Sequence, residues 1–186
     1  ILSALVFISP GLAQAGGALT LGAATSNRVA FPGAETVLDN LDPFTWMIWV
    51  YPTTLTTNRT MMSKGTAATG KLLFFSGTTG NIQLRVNRVT TDTDHITNTT
   101  PLATLNQWYF VATTYNSRAA AGQLGNIFTG TLSTPAAEAT YGTATGGSGN
   151  LLDDSSFGLV LGNVAGEAPT LSFQGDIGVV AVSSSE

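Results

Sequence analysis

Ile82, Leu84 and Val86 alternate with Gln83, Arg85 and Asn87, a period of two that gives an extended strand one apolar and one polar face. The run Lys71 to Ser76 precedes it across Gly77-Thr78-Thr79-Gly80 and reads as its hairpin partner. Two longer runs, Phe44 to Tyr51 and Trp108 to Tyr115, carry bulky residues at odd and even positions alike, which predicts strands in the middle of a sheet. Shorter strands are predicted at Ala18 to Leu21, Arg28 to Phe31, Arg59 to Ser63, Asn126 to Leu132, Phe157 to Leu161 and Ile177 to Val182. Helix-forming stretches with a 3.6-residue period are hard to find. Between the strands lie stretches that read as loops: Thr53 to Asn58, Thr90 to Pro101, Ser117 to Gly125, and Glu138 to Asn150, which is rich in Gly, Thr and Ser. Many short strands at this spacing predict an all-β fold, a two-sheet antiparallel β-sandwich rather than a small barrel.

A chain of 186 residues is long enough for one domain with a sizeable core. It has no Cys, which excludes disulfide scaffolds, thiolate metal sites and cysteine nucleophiles and leaves the redox compartment open. Charged residues are 10% of the chain and the net charge is −4, so there is no basic surface to neutralise phosphates, and nucleic acid is not an expected partner. With 43% hydrophobic residues the composition is that of a folding chain and not a disordered one.

The first charged residue is Arg28, and the chain opens on an apolar run that includes Leu2, Leu5, Val6, Phe7 and Ile8. Ala13-Gln14-Ala15 has the small-residue form of a secretory cleavage site, so residues 1–17 read either as a structural arm or as a retained leader, with the domain proper at 18–186. Ser9, Pro10, Gly11 and Gln14 interrupt the run well before the ~18–20 apolar residues that a membrane span needs. As an arm, such a segment is expected to dock on a neighbouring chain or to cap its own sheet.

Four segments then resemble, in order, the laminin-G-like or concanavalin-A-like jelly-roll domains. Phe44-Thr45-Trp46-Met47-Ile48-Trp49-Val50-Tyr51-Pro52 resembles a family strand that begins Phe-Thr and ends Trp-Val-x-Pro. Met62-Ser63-Lys64-Gly65 is similar to the following Ser-Lys element, and Trp108-Tyr109-Phe110-Val111-Ala112-Thr113-Thr114-Tyr115-Asn116 to its Trp-x-x-Val-Ala-x-Thr-Tyr strand. Leu161-Gly162-Asn163 and Phe173-Gln174-Gly175-Asp176-Ile177 resemble the closing pair. The resemblance covers about Ala18 to Val182. It implies two antiparallel sheets with binding loops at the rim, in a family that binds carbohydrates, binds proteins or serves as structural modules on cells and virus particles.

Glucanase relatives of this fold carry a Glu-x-Asp-x-x-Glu strand, because glycoside hydrolysis needs two carboxylates ~5–9 Å apart. No such run exists here, and the expectation is a domain without catalytic residues. Asp92 and Asp94, with His95 beside them, have the two-residue spacing of one strand face, and the bland reading is an exposed Thr-rich loop or hairpin. Calcium is the ion the resemblance implies; Asn150, Asp153 and Asp154 form the best local oxygen group, with Asp176 if the last strand runs nearby. The competing reading is that Asp153 and Asp154 end a loop in water and that no cofactor is bound. Alternation also places Met47, Trp49 and Tyr51 on one strand face, either as a glycan platform or as packing under a covering loop.

The leading expectation is a structural or interaction sandwich on a virion surface, a phage capsid decoration or tail-associated protein. Its partners would be other subunits, either copies of itself or particle proteins. The alternative is a secreted or surface carbohydrate-binding module with glycans as partners. The compartment is accordingly the virion surface or the extracellular space.

Overall fold

A computed structural model describes residues 6–8, 18–22, 27–31, 36–55, 58–97, 104–120, 123–166 and 169–184. Along the chain its strands are β1 (Val6–Ile8), β2 (Leu19–Leu21), β3 (Val29–Ala30), β4 (Phe44–Pro52), β5 (Arg59–Thr66), β6 (Thr69–Ser76) and β7 (Asn81–Val86). There follow β8 (Thr91–Thr97), β9 (Tyr109–Tyr115), β10 (Gly125–Thr131), β11 (Ala137–Glu138), β12 (Tyr141–Ser148), β13 (Leu159–Leu161) and β14 (Gly175–Ser183). Single 3-10 turns lie at Thr36–Leu38 and Pro169–Leu171. No helix among the described residues is long and apolar enough to cross a membrane.

The strands form two sheets. The first runs β1-β14-β4-β9-β10-β11, with β2 sharing the edge of β14; the second runs β12-β8-β7-β6-β5-β13-β3. Every strand pairing is antiparallel. The expected all-β sandwich is therefore the fold, and the two runs that are bulky on both faces, β4 and β9, lie side by side in the middle of the first sheet. The expected hairpin of β6 with β7 is also present.

Alternation assigns the core. From the first sheet Phe44, Trp46, Ile48, Val50, Val111, Tyr115, Ile177, Val180 and Val182 point inward. From the second, Met62, Leu73, Phe75, Ile82, Leu84 and Val86 meet them. Each such side chain stabilises the fold by about 1.5–3 kcal/mol relative to exposure. The β5–β6 hairpin brings Gly65 and Gly70 opposite each other at φ +128° and +83°, where a Cβ would fall 2.1 and 1.9 Å from the facing carbonyl oxygens. A left-handed backbone with no room for a side chain requires glycine at both.

Two stretches read as loops are strands. Thr91 to Thr97 is β8, an interior strand whose Thr93, His95 and Thr97 turn into the sandwich and are 0, 0 and 1% exposed. Tyr141 to Ser148 is β12, an edge strand paired to it and largely exposed. Both are polar because one borrows its hydrophobic environment from neighbours and the other faces water. At the other edge, Val6, Phe7 and Ile8 pair through the backbone with Val182, Ala181 and Val180, so this part of the arm caps its own sheet. Leu2 and Leu5 lie outside the described residues.

Candidate functional site

Along β4 the residues Thr45, Met47, Trp49 and Tyr51 face outward, each half-buried, while their neighbours fill the core. Pairing with β9 sets Trp49 opposite Phe110 and Met47 opposite Ala112. The Trp49 and Phe110 rings are 5.5 Å apart at 54°, and those of Tyr51 and Trp108 are 5.5 Å apart at 53°. Tilted pairs at this separation are an attractive arrangement of ring edge and ring face. Four rings thus form a ledge on the outer face of the first sheet.

The other side of the ledge is shaped by β14. Asp176 stands opposite Tyr51 and Ala181 opposite Met47, with a register shift between Ile177 and Val180. Gly178 falls in that irregularity, where a Cβ would meet the Trp49 Cβ at 3.2 Å and the Trp108 ring at 3.4 Å. The missing side chain leaves room for the Trp108 ring and the Trp49 Cβ to approach the backbone there. Val179 beside it is 58% exposed, an apolar residue left in water at the edge of the ledge. At the Tyr51 end the Thr20 hydroxyl donates to Asp176 Oδ1 at 2.7 Å, leaving the second carboxylate oxygen for another donor.

A family model described as the concanavalin A-like lectin/glucanases superfamily, of laminin G type, matches residues 21–186. The chain belongs to that superfamily. No match was found among curated proteins. Among solved structures it is similar to domain 4 of AbnA, an extracellular arabinanase from Geobacillus stearothermophilus held in complex with arabinotriose. The identity is 17% and the TM-score 0.56, covering 97% of this chain and 75% of that one. It is similar to domains LG4-5 of the mouse laminin alpha1 chain at 17% identity and TM-score 0.57, covering 94% of this chain and 43% of that one. The module of a Ruminococcus gnavus sialidase bound to α2,3-sialyllactose matches at 12% identity and TM-score 0.54, covering 92% and 90%. At these identities the likeness is one of fold.

The oxygen group considered for calcium is divided between several partners. Asp154 is fully buried; its carboxylate contacts the Lys71 ammonium, and its Oδ1 accepts the Asn40 backbone N–H at 2.7 Å with Lys64 Nζ 3.7 Å away. Asp153 accepts from the Asn40 side chain at 2.9 Å and from the Ser155 N–H at 2.9 Å, and these bonds, the Ser155 ones foremost, hold its pKa down to about 2. Asp176 sits on the first sheet beside Thr20 and Tyr51, and Asn150 is exposed, its carbonyl accepting the Val89 N–H. Two lysines hold the place a divalent cation would take, so these residues do not fit calcium. Among the described residues no group of three or more His, Asp or Glu is arranged to hold a metal.

Asp92 and Asp94 share the outward face of β8, and His95 turns inward, away from both. Asp94 is held by Arg85 at 2.8 and 3.1 Å and by Gln83 at 2.6 Å, while Asp92 accepts the Arg88 N–H at 2.9 Å. The three therefore do not converge on one point. Sequence alternation located the β4 part of the ledge; Trp108, Phe110 and Gly178 were missed as members of it. The only sequence signal for the first two was the doubly bulky Trp108 to Tyr115 run, and Gly178 carried none.

Proposed function

We propose that this domain is a non-catalytic carbohydrate-binding module, secreted or surface-attached, that holds a neutral glycan chain along the Tyr51–Trp108–Trp49–Phe110 ledge. The observation that carries the reading is the ledge itself: four half-buried rings on the outside of a sheet whose inside is already filled. Sugar rings present C–H faces that pack on aromatic rings and hydroxyls that need polar partners around the rim. Asp176 supplies an acceptor at one end, and Met47 extends the apolar surface at the other. A flexible thioether suits such a contact because it adapts to the ring laid on it.

The arabinanase domain and the sialidase module with similar folds are held with oligosaccharides, which supports sugar as the ligand class. A virion-surface role draws no support from the family match or from these neighbours, and the part of the arm that prompted it pairs within its own sheet. Absence of catalysis is proposed because Asp92, Asp94 and His95 point to different surroundings.

The test is affinity electrophoresis and calorimetry against soluble neutral polysaccharides, among them arabinan, xyloglucan, galactomannan and β-glucan. At least one is expected to retard the chain, and Trp49→Ala to weaken binding about tenfold, the effect of losing one well-placed aromatic contact. A panel that leaves the chain unretarded overturns the proposal.

A further inference from the structure

On β6, Lys71, Leu73 and Phe75 turn into the sandwich, so Leu72 and Phe74 turn outward on the opposite sheet. There they pack with Val164 and, above them, Leu171 from the segment that crosses this face. The packing leaves a cavity of about 150 Å³ whose apolar floor is Leu72, Phe74 and Leu171 and whose polar wall is Asn58, Thr60 and Arg85. Drug-sized ligands occupy ~300–1,000 Å³, so this space suits one small ring.

The polar wall keeps hydrogen-bonding capacity in reserve. Arg85 commits Nε and Nη2 to Asp94 at 2.8 and 3.1 Å, and its Nη1 has no partner among the described residues. Asn58 accepts the Gly77 N–H on Oδ1 at 2.6 Å, leaving its Nδ2 uncommitted among the described residues. Thr60 lines the same wall with its side chain. Asp94 also cancels the charge of Arg85, which removes the advantage an anionic ligand would have. The guanidinium lies over the Phe74 ring, 6.0 Å from its centroid, and is thereby fixed in place.

We infer that this cavity is a second binding site, taking one uncharged sugar unit at a chain end, with Arg85 Nη1, Asn58 Nδ2 and the Thr60 hydroxyl as its polar contacts. The inference rests on the carbohydrate reading of the aromatic ledge and adds to it. The ledge lies on the outside of one sheet and the cavity on the outside of the other, so the two sites face in opposite directions. A domain so built bridges two glycan chains, and tethering by the first contact raises the effective concentration at the second.

The experiment is ¹⁵N-resolved NMR titration of the full chain with methyl glycosides of glucose, galactose and arabinose, with glucuronate as the charged control and a neutral oligosaccharide as the long probe. The ledge reports through the Trp49 and Trp108 indole N–H signals, the cavity through the Arg85 Nε–H and the Thr60 amide. A neutral methyl glycoside is expected to shift the cavity signals and glucuronate to do so at least tenfold more weakly. Read at the backbone amide of residue 60, which both variants keep, Arg85→Met and the near-isosteric Thr60→Val are each expected to weaken that response about tenfold while ledge shifts by the oligosaccharide persist. Cavity signals that stay still with every methyl glycoside, or that respond equally in both variants, overturn the inference. A still ledge with a responsive cavity instead overturns the ledge reading and leaves the cavity site standing.

Discussion

The Lys71 ammonium lies against the Asp154 carboxylate inside the sandwich, with the two side chains 3 and 0% exposed. Lys64 joins the pair, donating to Asp39 at 2.8 Å and to the carbonyls of Asp154 and Phe157 at 3.2 and 2.7 Å. Burial pushes the Lys71 pKa below its ordinary value, and the neighbouring Asp154 opposes that shift. The cluster ties the segment after β12 and the turn before β4 to the centre of the second sheet. Desolvation of buried ions offsets much of their attraction, so the intact pair adds little over an apolar replacement, whereas a lone buried charge is strongly unfavourable.

Removing the central charge alone should therefore be costly. Asp154→Ala leaves the buried Lys71 ammonium without its carboxylate, while Lys64 keeps Asp39, and a loss of about 3–5 kcal/mol is expected in urea unfolding. The double variant Lys71→Met with Asp154→Leu removes both members of the closest pair and is expected to recover most of that loss. A single variant as stable as the parent would mean that the cluster carries no structural weight.

His95 supplies a pH dependence. Its side chain is fully buried, neither ring nitrogen has a hydrogen-bond partner, and it packs edge-on against Tyr141 at 5.5 Å. Burial lowers its pKa below 6.5, and the charge of Asp94 on the same strand offsets this in part. The unfolded chain takes up a proton near pH 6.5 that the folded chain refuses, so stability is lost as pH falls below that value and is flat above it. The depressed carboxyl of Asp153 acts in a separate window, between 3.8 and about 2. The thermal midpoint is expected to fall between pH 7 and 5, and His95→Leu to flatten the curve over that interval.

The sequence made the first sheet readable because β4 and β9 are bulky on both faces, and made β6 and β7 readable by their hairpin spacing. It hid β8 and β12. Thr93, His95 and Thr97 are polar residues that become interior because Leu84 and neighbouring core side chains surround them. The candidate ledge was legible where it follows one strand, at Met47, Trp49 and Tyr51. Trp108, Phe110 and Gly178 join through pairings between strands distant in sequence, which no local pattern encodes.

Gly70→Ala tests the facing glycine pair of the β5–β6 hairpin. Its φ of +83° disfavours any side chain, and the new Cβ would come within 1.9 Å of the Lys64 carbonyl oxygen. Backbone strain and overpacking together should cost roughly 3 kcal/mol or more. Displacing the Lys64 backbone would also loosen the buried ion cluster, so the loss should be smaller in a Lys71→Met, Asp154→Leu background. Urea unfolding of the two pairs of variants measures that coupling.

Gly178→Val separates ligand contact from folding. A side chain at Gly178 would press on the Trp49 Cβ and the Trp108 ring, both on the solvent side of the sheet, while Ile177 and Val180 continue to fill the core. The rings can tilt outward to admit it, and a β-branched residue in a strand recovers up to ~1 kcal/mol. Unfolding free energy is therefore expected to stay within about 1 kcal/mol of the parent. The ledge would lose its level surface, because the two tilted pairs share Gly178 as their common support. Affinity for a polysaccharide that binds the parent should fall about five- to tenfold, the equivalent of one aromatic contact. Unchanged affinity in a folded Gly178→Val chain would place the glycan elsewhere, and a large loss of stability would mean that the rings are packed too rigidly to serve as a platform.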